Sequence, residues 1–155
     1  MQSNCVTAFL LCAFCAAGLI AGEDSPASIH SKGATIRAEI VELRSDDGIV
    51  RCTLFNKADG FPVKYQNAIA GTNSKIASRK AVCEFADVPA GTYAIAVFHD
   101  EDANGKMRTN FIGIPKEGTG ASSNPKPRFG PPKFKDAQFE HGTSESVLSI
   151  KVLYF

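Results

Sequence analysis

The chain has 155 residues, with 17 Lys and Arg against 16 Asp and Glu and a formal net charge of +1. Such a near-neutral, mixed-sign chain offers no bulk attraction to nucleic acid or to an anionic membrane, so neither is expected as a partner on charge alone. Its size is that of one domain, large enough to bury about two-thirds of its unfolded surface without a metal for stability.

Residues 1–22 contain no Asp, Glu, Lys or Arg, and residues 8–22 form an apolar run ending in small side chains. This predicts a secretory signal peptide over 1–22; the run is shorter than the about 20 residues a membrane anchor needs, so no span is expected after cleavage. The protein is therefore expected to be exported, to the periplasm or beyond the cell. Residues 23–33 read as a flexible N-terminal segment and 34–155 as the folded domain. Five cysteines fall to two after cleavage, Cys52 and Cys83. In an oxidising compartment they are expected to pair, provided the strand faces that carry them both point into one core.

Period-two alternation dominates from residue 34. Ile36, Ala38 and Ile40 alternate with Arg37 and Glu39, and Ser45-Asp46-Asp47-Gly48 predicts a hairpin turn into a strand over 49–55. Residues 63–70 read as a helical turn or an irregular connection. Strands are predicted at 75–79 and 81–85, and the turn 87–91 leads into 92–98, apolar enough to be a central strand. Residues 103–135, dense in Gly, Pro, Ser and Asn, predict a long loop of the kind that is functional or disordered. The chain closes on a segment at 136–139 and a strand over 145–155. About seven short strands without a long helix predict an all-β antiparallel sandwich of immunoglobulin-like or prealbumin-like type.

The most chemically suggestive segment is 97–106, Val-Phe-His-Asp-Glu-Asp-Ala-Asn-Gly-Lys. Asp100, Asp102 and Asn104 offer oxygens at alternate positions and Gly105 permits a sharp turn, as in the front half of a calcium loop. An EF-hand counted from Asp100 would need Glu at its twelfth position, where Phe111 stands, and its ninth is Arg108. A complete EF-hand is thereby excluded. The remaining readings are a weak Ca²⁺ site at Asp100, Asp102 and Asn104, completed by Glu117 and Asn124, or a tight Asx-rich turn that requires no cofactor. An Arg108 paired with Asp100 or Asp102 would take the cation's place.

His99 beside Asp100 suggests acid-base chemistry, but adjacent strand residues face opposite ways, so the plainer expectation is a strand-end histidine satisfied by hydrogen bonds. The run 126–135 mixes Lys and Arg with Phe129 and Phe134, the composition of a patch for an anionic or carbohydrate partner, or of an edge segment packed by its phenylalanines.

Residues 89–106 and 109–118, together with Ser122-Ser123-Asn124, residues 131–134, Asp136-Ala137 and the upstream Leu54-Phe55-Asn56 and Gly60-Phe61, resemble the secreted bacterial family known as domain of unknown function 2141. The resemblance spans about residues 35–155. It implies an exported single-domain β-sandwich and no particular activity; it also implies that Arg108 replaces an acid that relatives often carry. Three functions follow as expectations: a non-enzymatic binding or accessory module of the cell envelope, with a protein or carbohydrate partner; a small hydrolase-like enzyme using His99 and nearby carboxylates; or a structural subunit associating through sheet edges.

Overall fold

A computed structural model describes residues 33–126 and 130–155. The expected signal peptide at 1–22, and the expected flexible segment up to residue 32, lie outside the described residues. Eight strands, a 3-10 turn at Tyr65–Asn67 and one helical turn of four residues make up the regular structure of the described part: β1 Ala34–Val41, β2 Ile49–Phe55, β3 Ala70–Lys75, β4 Ala81–Val88, β5 Gly91–Asp100, β6 Gly118–Ala121, α1 Phe134–Ala137, β7 Phe139–His141 and β8 Ser146–Lys151. They form a β-sandwich. One sheet has the order β4-β1-β8; the other runs β3-β2-β5-β6, with β7 pairing the start of β5. No helix among the described residues is long and apolar enough to cross a membrane.

The alternation read from the sequence decides which side chains meet between the sheets. Ile36, Ala38 and Ile40 of β1, Val50, Cys52 and Leu54 of β2, Ala81, Cys83 and Phe85 of β4, and Ile95 and Val97 of β5 all lie in one buried cluster. Cys52 and Cys83 come from different sheets and are joined by a disulfide with Cα atoms 6.4 Å apart.

Several elements differ from expectation for identifiable reasons. The 45–48 turn does not close a hairpin, because β1 pairs with β4 and β8 whereas β2 pairs with β3 and β5. It carries the chain from one sheet to the other. Pairing is not wholly antiparallel either, since β8 returns parallel to β1. The strand expected at 75–79 ends at Lys75, and the chain reverses at Ser78 and Arg79, both with positive φ. No glycine or asparagine marks that turn; Asp46 holds it, its carboxylate accepting the N–H groups of Ser78 (3.1 Å) and Arg79 (2.6 Å). A 3-10 turn, Tyr65–Asn67, occupies the ambiguous stretch before β3.

The long loop expected over 103–135 contains β6 and the start of α1, and the closing segment at 136–139 divides between the end of α1 and the first residue of β7. The glycines of β6 that resemble loop residues are demanded by close packing. A Cβ on Gly118 would lie 2.4 Å from Val152 Cγ1, and one on Gly120 would lie 2.7 Å from the Lys151 carbonyl oxygen. The C-terminal segment crosses β6 here, and Thr119 and Leu153 exchange both backbone hydrogen bonds at 2.9 and 2.8 Å.

Because the disulfide closes a 31-residue separation between the two sheets, the Cys52→Ala/Cys83→Ala protein is expected to lose about 3–4 kcal/mol of stability on the chain-entropy account. Urea unfolding of the double variant against the oxidised parent measures it; a difference under about 1 kcal/mol would remove the cross-link from the determinants of stability.

Candidate functional site

Strand β5 ends where the acidic segment begins, and its alternation separates the two residues that look like a catalytic pair. His99 follows Ile95 and Val97 inward; Asp100 follows Ala96 and Phe98 onto the outer face of the five-stranded sheet. Both are fully buried, so each must find its partners within the protein.

His99 Nε2 lies 2.8 Å from the carbonyl oxygen of Asp47, and its Nδ1 lies 2.7 Å from the Tyr154 hydroxyl. A carbonyl can only accept, so Nε2 carries a hydrogen. The Tyr154 oxygen in turn accepts the Arg44 N–H at 3.1 Å, which leaves the phenolic hydrogen for Nδ1. Both ring nitrogens are thus committed to tying the 45–48 turn and the C-terminal segment to the end of β5. Gly48 is part of the same contact: at φ +68° it sits so close that an added Cβ would be 2.0 Å from the Asp100 carbonyl oxygen.

Asp100 is enclosed by donors. Its Oδ2 accepts from Arg51 Nε at 2.6 Å and from the Gly105 N–H at 2.8 Å, and its Oδ1 accepts from the Asn104 N–H at 3.1 Å. Positive φ at Ala103 and Gly105 turns the chain so that these amides face the carboxylate. Burial pushes the Asp100 carboxyl upward, but the Arg51 guanidinium and the two amides more than offset it, leaving its pKa below the ordinary carboxylate value. Asn104 contributes its backbone to Asp100; its own side-chain oxygen accepts the Lys106 N–H at 2.7 Å.

Glu117, at the base of the returning arm, is also fully buried and accepts the backbone N–H groups of Arg108 (2.8 Å) and Glu101 (3.2 Å). Asp100, Asp102 and Glu117 each offer an oxygen within 4.8 Å of the others. Glu117 therefore does approach Asp102, whereas Asn124 stands apart, its side chain bonding Ser149 O and Lys151 N along the edge of β8. Arginines surround the acids. Arg108 Nε lies 3.4 Å from Glu117 and 3.6 Å from Asp102, with Nη2 3.6 Å from Glu101. Arg44 grips Glu101 through two 2.5 Å bonds and lies over the Tyr154 ring at 4.5 Å. That pairing, working against burial, lowers the Glu101 pKa and raises that of Arg44.

The expected partnership of Arg108 with Asp102 is present, but Asp100 belongs to Arg51. Arg51, Arg44, Glu101 and Tyr154 were not singled out from the sequence. Arg51 alternates outward between Val50 and Cys52 like any exposed strand residue, and only the β2–β5 register, Arg51 opposite Phe98, brings it diagonally to Asp100. The run 126–135 is described except for 127–129; Phe134 packs edge-on against Phe61, itself edge-on against Phe55, so this aromatic belongs to the outer packing layer.

Beside the acidic hairpin, the outer face of β2, β5 and β6 forms the floor of a groove of about 1860 Å³. Thr53, Ala96 and Phe98 lie on the floor side, while Met107 and Ile114 of the hairpin and Phe155 at the chain end contribute to the lining. Fold and site together define a disulfide-pinned β-sandwich in which an arginine-held acidic hairpin walls a groove on one sheet face. The family described as "Uncharacterized protein conserved in bacteria (DUF2141)" matches residues 38–149, and the chain belongs to that family. No curated protein sequence matches it. Among solved structures it is similar to a pilus-presented adhesin, Spy0125 (Cpa), at 16% identity and a TM-score of 0.21, over 77% of this chain and 26% of that one. The chain spans about a quarter of that adhesin's solved length.

The lowered carboxyl pKa values of Asp100 and Glu101 fix the sign of a pH effect. Their contribution is fully present above the unfolded-state values of about 4 and is lost as pH falls through the lower folded-state values. Thermal midpoints from pH 7 to pH 2 are expected to fall below about pH 4, less steeply in Asp100→Asn. Arg51→Met, which leaves the buried carboxylate without its cation, is expected to cost about 3 kcal/mol at pH 7. An unchanged midpoint in Arg51→Met would show that the amides alone satisfy Asp100.

Proposed function

We infer that this protein is an exported, non-enzymatic binding module of the bacterial cell envelope, using the groove and the hairpin that walls it. The observation that carries the reading is the construction of that face: a hairpin whose buried acids are internally neutralised stands over an open, largely apolar sheet surface. Export is supported by the uncharged apolar leader and is compatible with the Cys52–Cys83 disulfide. The enzyme reading has less support, because His99 is buried with both ring nitrogens engaged and faces away from Asp100. Association through the β8 and β6 edges also has less, because β8 is capped by the Asn124 amide and β6 by Leu153.

In this reading the hairpin requires no cofactor. Arg51 and Arg108 supply the positive charge that a calcium ion would bring to Asp100, Asp102 and Glu117. Millimolar Ca²⁺ is accordingly expected to leave the parent's thermal midpoint within about 1 °C, and to raise it once Arg108→Gln uncovers Asp102 and Glu117. A clear rise in the parent would restore calcium as the ordering element.

Binding itself is tested by sedimenting the processed protein with isolated bacterial envelopes. Ile114→Asp, which puts a charge on the groove wall, is expected to reduce the bound fraction about tenfold without lowering the thermal midpoint. Equal binding by parent and variant would dismiss the groove as the functional surface.

A further inference from the structure

The 109–115 arm of the hairpin is a tightly hydrogen-bonded reversal that holds its apolar tip away from the domain. Thr109 and Pro115 bridge, the Asn110 N–H donates to the Ile114 carbonyl at 2.9 Å, and the Gly113 N–H donates to the Asn110 carbonyl at 3.0 Å. The Asn110 side-chain oxygen accepts two more amides, from Ile112 (3.0 Å) and Ile114 (2.9 Å). Phe111 is left 98% exposed and Ile112 65% exposed. The Asn110 side-chain oxygen closes the reversal, and a phenylalanine exposed at its tip forgoes stabilisation that burial would give.

The tip is not an isolated apolar residue. Nine large hydrophobic side chains are exposed among the described residues, and five of them, Val63, Tyr65, Ile112, Ile114 and Phe155, line the same groove. Three separate segments of the chain therefore bring apolar groups to one face, a concentration that marks an interaction surface. The charges on this face are mostly positive. The groove is lined by four cations and a single acid, Asp136; Arg51 and Lys151 are paired with Asp100 and Glu42, which leaves Lys126 and Lys133. The hairpin's acids are taken up by Arg44, Arg51 and Arg108, which leaves Lys106 and Lys116 without an acidic partner among the described residues; Lys133 on the groove wall is likewise without one.

We propose that this face docks on a lipid bilayer bearing anionic headgroups, with Phe111 and Ile112 entering the headgroup and acyl boundary and Lys106, Lys116 and Lys133 meeting the lipid phosphates. The proposal deepens the binding-module reading and depends on it. A bilayer suits the geometry because a projecting convex tip needs a yielding apolar medium, and lysine stems lie along such a boundary with their ammonium groups in water. Net charge near zero supplies no long-range attraction, so the contact is local and modest in strength, with both an apolar and an electrostatic component.

The test is co-sedimentation of the processed protein with vesicles of phosphatidylcholine alone and of phosphatidylcholine containing phosphatidylglycerol. Binding is expected to favour the anionic vesicles and to weaken with salt. It should fall about tenfold or more in Phe111→Ser/Ile112→Ser, whose exposed positions leave the thermal midpoint unchanged. Lys106→Gln/Lys116→Gln should narrow the preference for anionic vesicles several-fold while retaining the weaker neutral-vesicle binding. No binding to anionic vesicles overturns the proposal, as does binding that the tip variant leaves intact. Self-association of the parent in vesicle-free sedimentation velocity, abolished by the tip variant, would assign the face to a second copy and overturn it as well. Envelope binding that Ile114→Asp abolishes, combined with no vesicle binding, overturns the lipid assignment alone; absence of both removes the groove reading too.

Discussion

The ion pair between Arg51 and Asp100 is the interaction on which the functional face depends. A carboxylate with no solvent exposure is tolerable only when its charge is met and its lone pairs are used, and here one guanidinium and two loop amides accomplish both. The consequence runs outward from the buried oxygen atoms. Because the Asn104 and Gly105 amides must point at Asp100, the chain has to turn sharply just after β5. Because it turns there, the following arm rises beside the sheet and becomes the wall of the groove. The second buried acid repeats the device: Glu117 binds the amides of Glu101 and Arg108 and so fastens the returning arm to the departing one. Two buried carboxylates therefore shape a loop that has little hydrophobic interior of its own.

The same strand end organises the opposite face. His99 points inward and joins the 45–48 turn to Tyr154, and Tyr154 supports Arg44, which holds Glu101. A continuous set of polar contacts thus connects the inter-sheet turn, the C-terminal segment and the acidic hairpin. It requires that segment to pass close over β6, which is why Gly118 and Gly120 carry no side chain. Local composition and long-range packing give the same answer at these positions, although only the packing explains it.

How far the sequence was legible follows from the range of the interactions involved. Strand faces were readable because alternation is local: Ile36, Ala38, Ile40, Val50, Cys52 and Leu54 all face inward as the pattern requires, and the two cysteines meet because their faces do. Which sheet each strand joins was not readable, since a Ser-Asp-Asp-Gly turn serves a crossover between sheets as well as a hairpin. The turn at Ser78 and Arg79 was hidden because Asp46, more than thirty residues upstream, stabilises it in place of a local glycine. β6 was hidden because its glycines answer to Val152 and Tyr154. In the site, the loop residues Asp100, Asp102 and Asn104 were visible as a motif. The partners that decide their chemistry, Arg51 from β2 and Arg44 from beyond β1, were invisible without the register.

The distribution of charge separates two roles within one hairpin. The arginines that meet its acids, Arg108 of the hairpin with Arg44 and Arg51 from outside it, are consumed there, where a planar, always-charged group can serve several carboxylate oxygens at once. Its lysines, Lys106 and Lys116, are exposed, and so is Phe111 at its tip. An arrangement selected only to order the loop would have no need of Lys106, Lys116 and Phe111 at its rim, since none of them contributes to satisfying Asp100 or Glu117. Ordering and presentation are thereby assigned to different residues: the buried acids, with the arginines that meet them, order the hairpin, and its tip carries the exposed Phe111 and Ile112.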